Sequence, residues 1–433
     1  MYVYWEPAPL LTPSAVGSSG APLFLYQRAF LGRPPSLRGP SVSRYIAAAV
    51  TLAASPRGRR RALAVALVVA VLVVGGVWTA VARGRGGAQA DPGAQAAVIA
   101  VIPELEAFVE HARGLKFLSP VKVSVVDAAT FRRIYDQGGT TDAGGPGTQT
   151  GTLRVLGLIQ GGGGSGGGSD ADSVDGFYDS DTKELVVRGT RPTPFVRQVL
   201  VHELTHALDD QHFGLDPPMP DDEASLAYDA LVEGDATSVE YRYVDSLSPE
   251  EQQEAAAEED AAYAKSASGS GSDASDPLVA LDDFPYDIGP DFIDALVADG
   301  GQARVDTAFG HPPTTSAEVL HPERYLSGRG RAPVPEVASD AKVVDEGVLG
   351  EFLLQLVLEE TVPEAEAMRA ATGWAGDHYV AWRSGRRTCV RATVVLDSDT
   401  DAAELASMLR RWAADHRGAT VEGTSAITLG RCA

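Results

Sequence analysis

The sequence predicts an α+β fold preceded by one transmembrane helix, and three observations predict it. Residues 62–82, ALAVALVVAVLVVGGVWTAVA, run for 21 positions without a charge, enough to cross the apolar core of a bilayer. Beyond them, short β-branched runs such as VKVSVV and KELVVR alternate with longer segments of helical period. The C-terminal stretch, residues 384–433, again reads as strands around a helix. The expected globular part is therefore a small mixed sheet, a central helix, a mainly helical second half and a small C-terminal α+β unit.

Taken in order, residues 1–61 are rich in Pro, Gly, Ser and Arg without a sustained period and read as a disordered tail. Arg57, Arg59, Arg60 and Arg61 stand just before the apolar run, so the positive-inside rule places the tail in the cytoplasm and the rest of the chain outside. Ala80-Val81-Ala82 also suits a signal-peptide cleavage site, and either reading exports the remainder. Residues 83–97 read as a linker and 98–383 as the main domain. In it VIAVIPELEAFVEHARGL predicts a helix, VKVSVVD a strand and ATFRRIYDQ a helix. Residues 144–169 contain GGGGSGGGS and read as a flexible insertion without a core. GFYDSDTKELVVRG predicts two short strands around a turn. Residues 248–283, acidic and Ala-rich and then Gly/Ser-rich, read as a second insertion with a helical piece at most. FPYDIGPDFIDALVADGGQARVDTAF is largely helical, and EGVLGEFLLQLVLEE is an amphipathic helix. In the C-terminal unit, Cys389 and Cys432 are the chain's two cysteines, and their exported position favours a disulfide over two separate buried thiols.

Charge divides the chain in the same place. Eight arginines and one acid give residues 1–61 a charge of +7, and the other 28 bases and 58 acids give the remainder −30. Such an acidic domain excludes nucleic acid as a partner.

The chemistry concentrates in VLVHELTHALDDQHF (199–213), where His202, Glu203 and His206 form H-E-x-x-H. With 8 histidines in 433 residues, such a match arises by chance on the order of once per hundred chains. Thr193 suits an N-cap and Pro194 the first helical position, and Phe195, Val199, Leu200, Leu204, Ala207 and Leu208 recur at helical spacing, predicting a helix over 194–212. On it the two imidazoles point from one face and can reach one ion, while Glu203 can take a proton from activated water.

A third ligand is needed. One candidate is His212, in the spacing H-E-x-x-H-x-x-G-x-x-H of metzincin proteases, although Asp209 stands where that pattern has glycine. The other is Glu233, in LAYDALVEGDATSVEYRYV (226–244), which reads as a second helix with Ala230, Gly234 and Ala236 permitting close approach. Asp235 and Glu240 are further carboxylates in reach.

Through HELTHA and the downstream Glu233 the chain resembles the thermolysin-type zinc peptidases, the gluzincins. HELTHALDDQHF, LVEGDA, FPYDIGPDF, TTSAEVLHPERY and GWAGDHYVAW also resemble a group of bacterial, membrane-anchored zincin-like proteins. The resemblance implies a zincin-like domain in which Zn2+ is held by His202, His206 and Glu233, with Glu203 as general base. It also implies an edge strand before the motif helix for an extended substrate, a place LVVRG fills, though a plain hairpin is as economical. Two departures stand out: Val232 and Thr237 occupy positions where gluzincins carry Asn and Asp, so the carboxylate orienting a ligand histidine falls to Asp235 or Asp210. For the oxyanion, His321 and Tyr325 are candidates, then Tyr241, against a plain capping box at Thr315 and Glu318; Trp374 and Asp377 read as structural. The expectation is a membrane-anchored extracytoplasmic zinc peptidase acting on peptide or protein substrates, with a catalytically silent zincin-fold envelope binding protein as the alternative.

Overall fold

The computed structural model describes residues 91–138, 149–159, 175–189, 191–270 and 277–433. The apolar run 62–82, the tail before it and the Gly-rich stretch 160–169 lie outside the described residues.

The fold is α+β with two small sheets. It opens with α1 (Pro92–Arg113), six residues earlier than the sequence suggested, because Asp91 caps it by accepting from the Gly93 and Ala94 amides and Pro92 starts it. By length and composition α1 is apolar enough to cross a membrane. Here Val98, Val101, Ile102, Leu105 and Val109 pack into the first core instead.

The first sheet has the order β1 (Lys122–Val126), β3 (Glu184–Arg188), β2 (Gly176–Asp179); β1 and β3 are parallel, β2 and β3 antiparallel. One face meets α1 and the motif helix α4 (Pro194–Phe213) through Val123, Val125, Leu185 and Val187. The other carries Phe177 and Val186 against Phe131 and Tyr135 of α2 (Ala128–Gly138). Strand β3, whose sequence LVVRG was read as an exposed edge, is the central strand; β2 is the edge beside the motif helix.

Two stretches read as insertions hold regular structure. Gln149–Leu156 forms α3, and Leu153, Val155, Leu156 and Leu158 enter the C-terminal core, because apolar positions after the glycines find a sheet to cover. Pro249–Ser270 forms the long helix α6, and Pro277–Asp287 forms α7. Between α4 and α6 lies α5 (Asp222–Ser246). Helices α8 (Gly289–Gly300), α9 (Gln302–Gly310), α10 (Ser316–Leu320) and α11 (Pro322–Leu326) follow, and Phe292, Ile293, Leu296, Val305, Phe309 and Val319 pack on α5 residues Ala227, Tyr228 and Leu231.

The second sheet is antiparallel, in the order β4 (Val343–Gly347), β5 (Trp374–Ser384), β6 (Arg387–Leu396), β8 (Ala426–Cys432), β7 (Thr420–Glu422). It extends N-terminally past residue 384, since β4 and β5 are part of it. Helices α12 (Gly350–Glu359), α13 (Glu364–Ala371) and α14 (Asp399–Asp415) and α3 cover one face through Leu354, Val357, Trp374, Leu405, Leu409 and Trp412. Cys389 and Cys432 face each other across β6 and β8 and form a disulfide.

A polar seam joins this sheet to the helical half. Arg331 binds Asp221 with both terminal nitrogens and donates to the Thr314 carbonyl. Glu223 Oε1 accepts from the Ser316 amide (2.6 Å) and hydroxyl (2.7 Å), and Asp377 accepts from the Leu349 and Gly350 amides and the Trp374 indole, each at 2.9 Å. Gly350, at φ 78°, lies so close that a Cβ there would sit 2.1 Å from the Glu223 carboxyl carbon, so only glycine fits.

Burial is the main cause raising both acids in this seam, opposed at Glu223 by the Ser316 bonds and at Asp377 by the two amides. The fold thus favours their neutral forms. The stability they contribute is whole below the ordinary carboxyl range and is lost as pH rises through their raised values. The melting midpoint should fall as pH rises above the ordinary carboxyl range, and Glu223→Gln, neutral throughout, should flatten that fall; an unchanged slope in a melting series would refute the assignment.

Candidate metal centre

The motif helix starts where the sequence places it. The Thr193 hydroxyl accepts from the Val196 amide at 3.3 Å, Pro194 occupies the first turn, and Gly214 closes the far end. It continues unbroken to Phe213, so Asp209 causes no turn and His212, six residues beyond His206, donates to the Lys116 carbonyl (2.8 Å) instead of turning back. Residues from Leu200 to Asp210 are buried, on every face of the helix, as expected of a helix inside a core.

Its partner α5 begins at Asp221, whose side chain accepts from the Ala224 amide. Midway along α5, Gly234 meets Gly289 at the start of α8. A Cβ on Gly234 would lie 2.4 Å from the Gly289 carbonyl carbon, and one on Gly289 2.4 Å from the Ala230 carbonyl oxygen. Two glycines lined up let backbones touch beside Glu233 and lay the end of α7, residues 284–287, against the site.

His202, His206 and Glu233 then converge, with one donor atom from each lying within 4.8 Å of the others. Glu233 Oε2 is 3.1 Å from His202 Nε2 and 3.4 Å from His206 Nε2. Tetrahedral zinc with bonds of about 2.1 Å separates its ligand atoms by about 3.4 Å, so the spacing suits a small divalent ion. The donor chemistry suits it too. Both ring nitrogens of His206 and Glu233 Oε1 are buried without a hydrogen-bond partner, and such orphans are rare unless something else binds them.

The outer partners are also in place. His202 Nδ1 is 2.8 Å from Glu240 Oε2, and Gln198 donates to Glu240 Oε1 at 2.7 Å. This fixes the imidazole with Nε2 toward the cage. Glu240 therefore does the work assigned to Asp235 or Asp210 in the sequence. Asp235 pairs with Arg113, and Asp210 accepts from the Tyr178 hydroxyl and from Lys183. Burial alone would depress the His202 imidazole, but its bonds to Glu233 and Glu240 reverse this and raise it. His206 is lowered, chiefly by burial. Burial also opposes ionisation of Glu233, yet His206 and His202 hold it below the usual carboxylate range. A carboxylate and a neutral imidazole are thus ready to bind, and His202 must release a proton.

Glu203 sits on the same helix, and its Oε2 accepts from the Tyr178 amide of edge strand β2 at 2.8 Å. The Tyr286 ring, in the last turn of α7, stacks on His202 with centroids 6.3 Å apart and planes at 25°. The two oxyanion candidates are engaged elsewhere. His321 Nε2 is 2.7 Å from Glu351, and the Tyr325 hydroxyl donates to the His311 carbonyl while its ring lies edge-on to Phe292. Thr315 accepts from the Glu318 amide as a cap, and Tyr241 is 55% exposed. Sequence reasoning missed Tyr286, for which no spacing signals proximity, and weighed Glu240 only as a ligand. Its signal was position: seven residues after Glu233, it shares that face of α5.

The family described as "Domain of unknown function (DUF8575)" matches residues 339–431. That stretch builds the second sheet and its helices, and the residues of the metal centre lie outside it. No curated protein and no solved structure matches the chain.

Removing the carboxylate behind His202 should loosen the centre without dismantling it. Glu240→Ala is expected to weaken divalent metal binding about 10–100-fold, read by chelator competition; wild-type affinity in the variant would mean that His202 needs no orienting partner.

Proposed function

We propose that the chain is a zincin-type metallopeptidase that hydrolyses peptide bonds outside the cytoplasm, anchored by residues 62–82. The observation that carries this reading is the buried grouping of His202, His206 and Glu233 with Glu203 on the same helix. A purely structural zinc site closes its fourth position with protein and needs no neighbouring base. The Cys389–Cys432 disulfide supports the exported location, since such bonds persist in oxidising compartments.

His202, His206 and Glu233 would hold zinc, which when bound supplies Lewis acidity and makes a water molecule nucleophilic near neutral pH. Glu203, oriented by the Tyr178 amide, takes the proton from that water as it attacks the scissile carbonyl carbon. The same carboxyl then gives the proton to the departing amine nitrogen, so no proton is left over. Strand β2 is an edge strand of its sheet, the position at which an extended peptide would add a strand, although its four residues are buried here. Tyr286 is the phenol that the fold brings beside His202, which suits it to the oxyanion role better than His321 or Tyr325.

A second reading, a metal-binding protein of the envelope without turnover, draws support from burial: His202, His206 and Glu233 are at most 1% exposed and Glu203 is 2% exposed.

The two separate experimentally. Metal analysis of the purified protein should give about one zinc per chain, and Glu233→Ala should lose it. Glu203→Gln should keep the zinc and lose peptide cleavage by about 10²–10⁴-fold. If parent and variant cleave a peptide library equally, Glu203 is not the base; if the zinc-loaded parent cleaves nothing, the second reading stands.

A further inference from the structure

We propose that Arg113, the last residue of α1, is a positioning residue of the metal centre that fixes the motif helix against the ligand helix; this rests on the reading of His202, His206 and Glu233 as metal ligands. Its guanidinium is 1% exposed. Nη2 donates to Asp209 Oδ1 at 2.9 Å, Nε lies 2.6 Å from Asp235 Oδ2, and the outer face reaches Asp306 (3.1 Å) and Gln302 (3.1 Å).

The placement of the two inner carboxylates gives the pairing its consequence. Asp209 lies three residues after His206, one turn along the motif helix, and Asp235 lies two residues after Glu233 on α5. One planar cation therefore bridges both ligand-bearing helices next to their ligands. Both acids are at most 1% exposed, so without Arg113 two buried carboxyl groups would face each other uncompensated across the interface that sets the His–Glu distances. A guanidinium suits this task because its planar fork donates to Asp209 through both Nε and Nη2 while Nε stays in ion-pair contact with Asp235, whereas an ammonium is a single point on a flexible stem. The arrangement also accounts for Asp209, which stands where the metzincin spacing has glycine. The helix needs an anchor for Arg113 there, not a break.

The test uses the full chain and cobalt(II), whose visible absorption reports coordination geometry. Arg113→Lys should bind cobalt about 10–100-fold more weakly than wild type and with an altered visible band. Arg331→Lys, which weakens a comparable Arg–Asp pair at the start of the same α5 helix, serves as a control for general destabilisation and should keep both affinity and band. Should Arg113→Lys fail to fold, the isosteric Asp235→Asn carries the same expectation. Wild-type affinity and band in the Arg113 or Asp235 variant, or an equal loss in Arg331→Lys, would overturn the proposal. Wild type that binds no cobalt would instead overturn the metal centre itself.

Discussion

A single carboxylate oxygen, Glu233 Oε2, stands between two imidazoles carried by another helix, and most of the surrounding structure exists to make that contact tolerable. Charged and polar groups in a low-dielectric interior are costly unless each finds a partner of good geometry. The motif helix buries its polar residues on every side, and they draw on several other elements: Glu203 and Asp210 on Tyr178 of β2, His202 on Glu240 of α5, and Asp209 on Arg113 of α1. The helix is consequently held by directional bonds as well as apolar contacts, and its rotation and height are fixed within narrow limits. Both ring nitrogens of His206 and Glu233 Oε1 stay without a hydrogen-bond partner, where an ion would go, as does Asp209 Oδ2 one turn further on.

Helix α5 transmits that constraint through the molecule. Its first turn is tied to the C-terminal half through Asp221–Arg331 and Glu223–Ser316. Its middle packs on α8 and α9 and carries Glu233, and its end places Val239 and Tyr243 in the core with α1 and the first sheet. The stretches TTSAEVLHPERY and GWAGDHYVAW, conspicuous in the sequence, belong to this tie: Ser316 holds Glu223, His321 pairs with Glu351, and Trp374 donates to Asp377. Chemistry-bearing residue types there serve the join between two halves.

What could be read from the sequence follows physical range. The motif helix, the hairpin before it, the ligand helix and the disulfide rest on local capping, periodicity or covalent logic, and each lies where that logic puts it. Features set by partners distant in the chain could not be read this way. LVVRG has the same composition whether central or at an edge, and only the addition of β1 on its far side makes it central. The segment 149–156 looks like part of a Gly-rich loop until a sheet some 240 residues later offers Leu153 and Leu156 a surface. Arg113 reads as an ordinary basic residue at a helix end, a place where cations are common; its burial depends on three carboxylates that lie 96 to 193 residues further on.

That distribution bears on how the two halves divide their labour. The C-terminal sheet carries a disulfide and a core of its own, yet its helices and strands supply none of the three residues that could together hold a metal ion. Its contact with the centre is indirect, through the first turn of α5 and through Phe352 of α12 against Phe284 of α7. Twelve and ten residues separate Asp221 and Glu223 from Glu233, about 15–18 Å along a helix rising about 1.5 Å per residue. Over that length a helix packed on all sides behaves as a rod, so a shift at the seam becomes a shift of Glu233 unless Gly234·Gly289 and Arg113–Asp235 hold the middle. The close glycine contact and the bridging guanidinium flank the ligand carboxylate within two residues on either count. They isolate the geometry of the centre from the rest of the rod, which lets the seam respond to pH or sequence change while the ligand positions stay fixed.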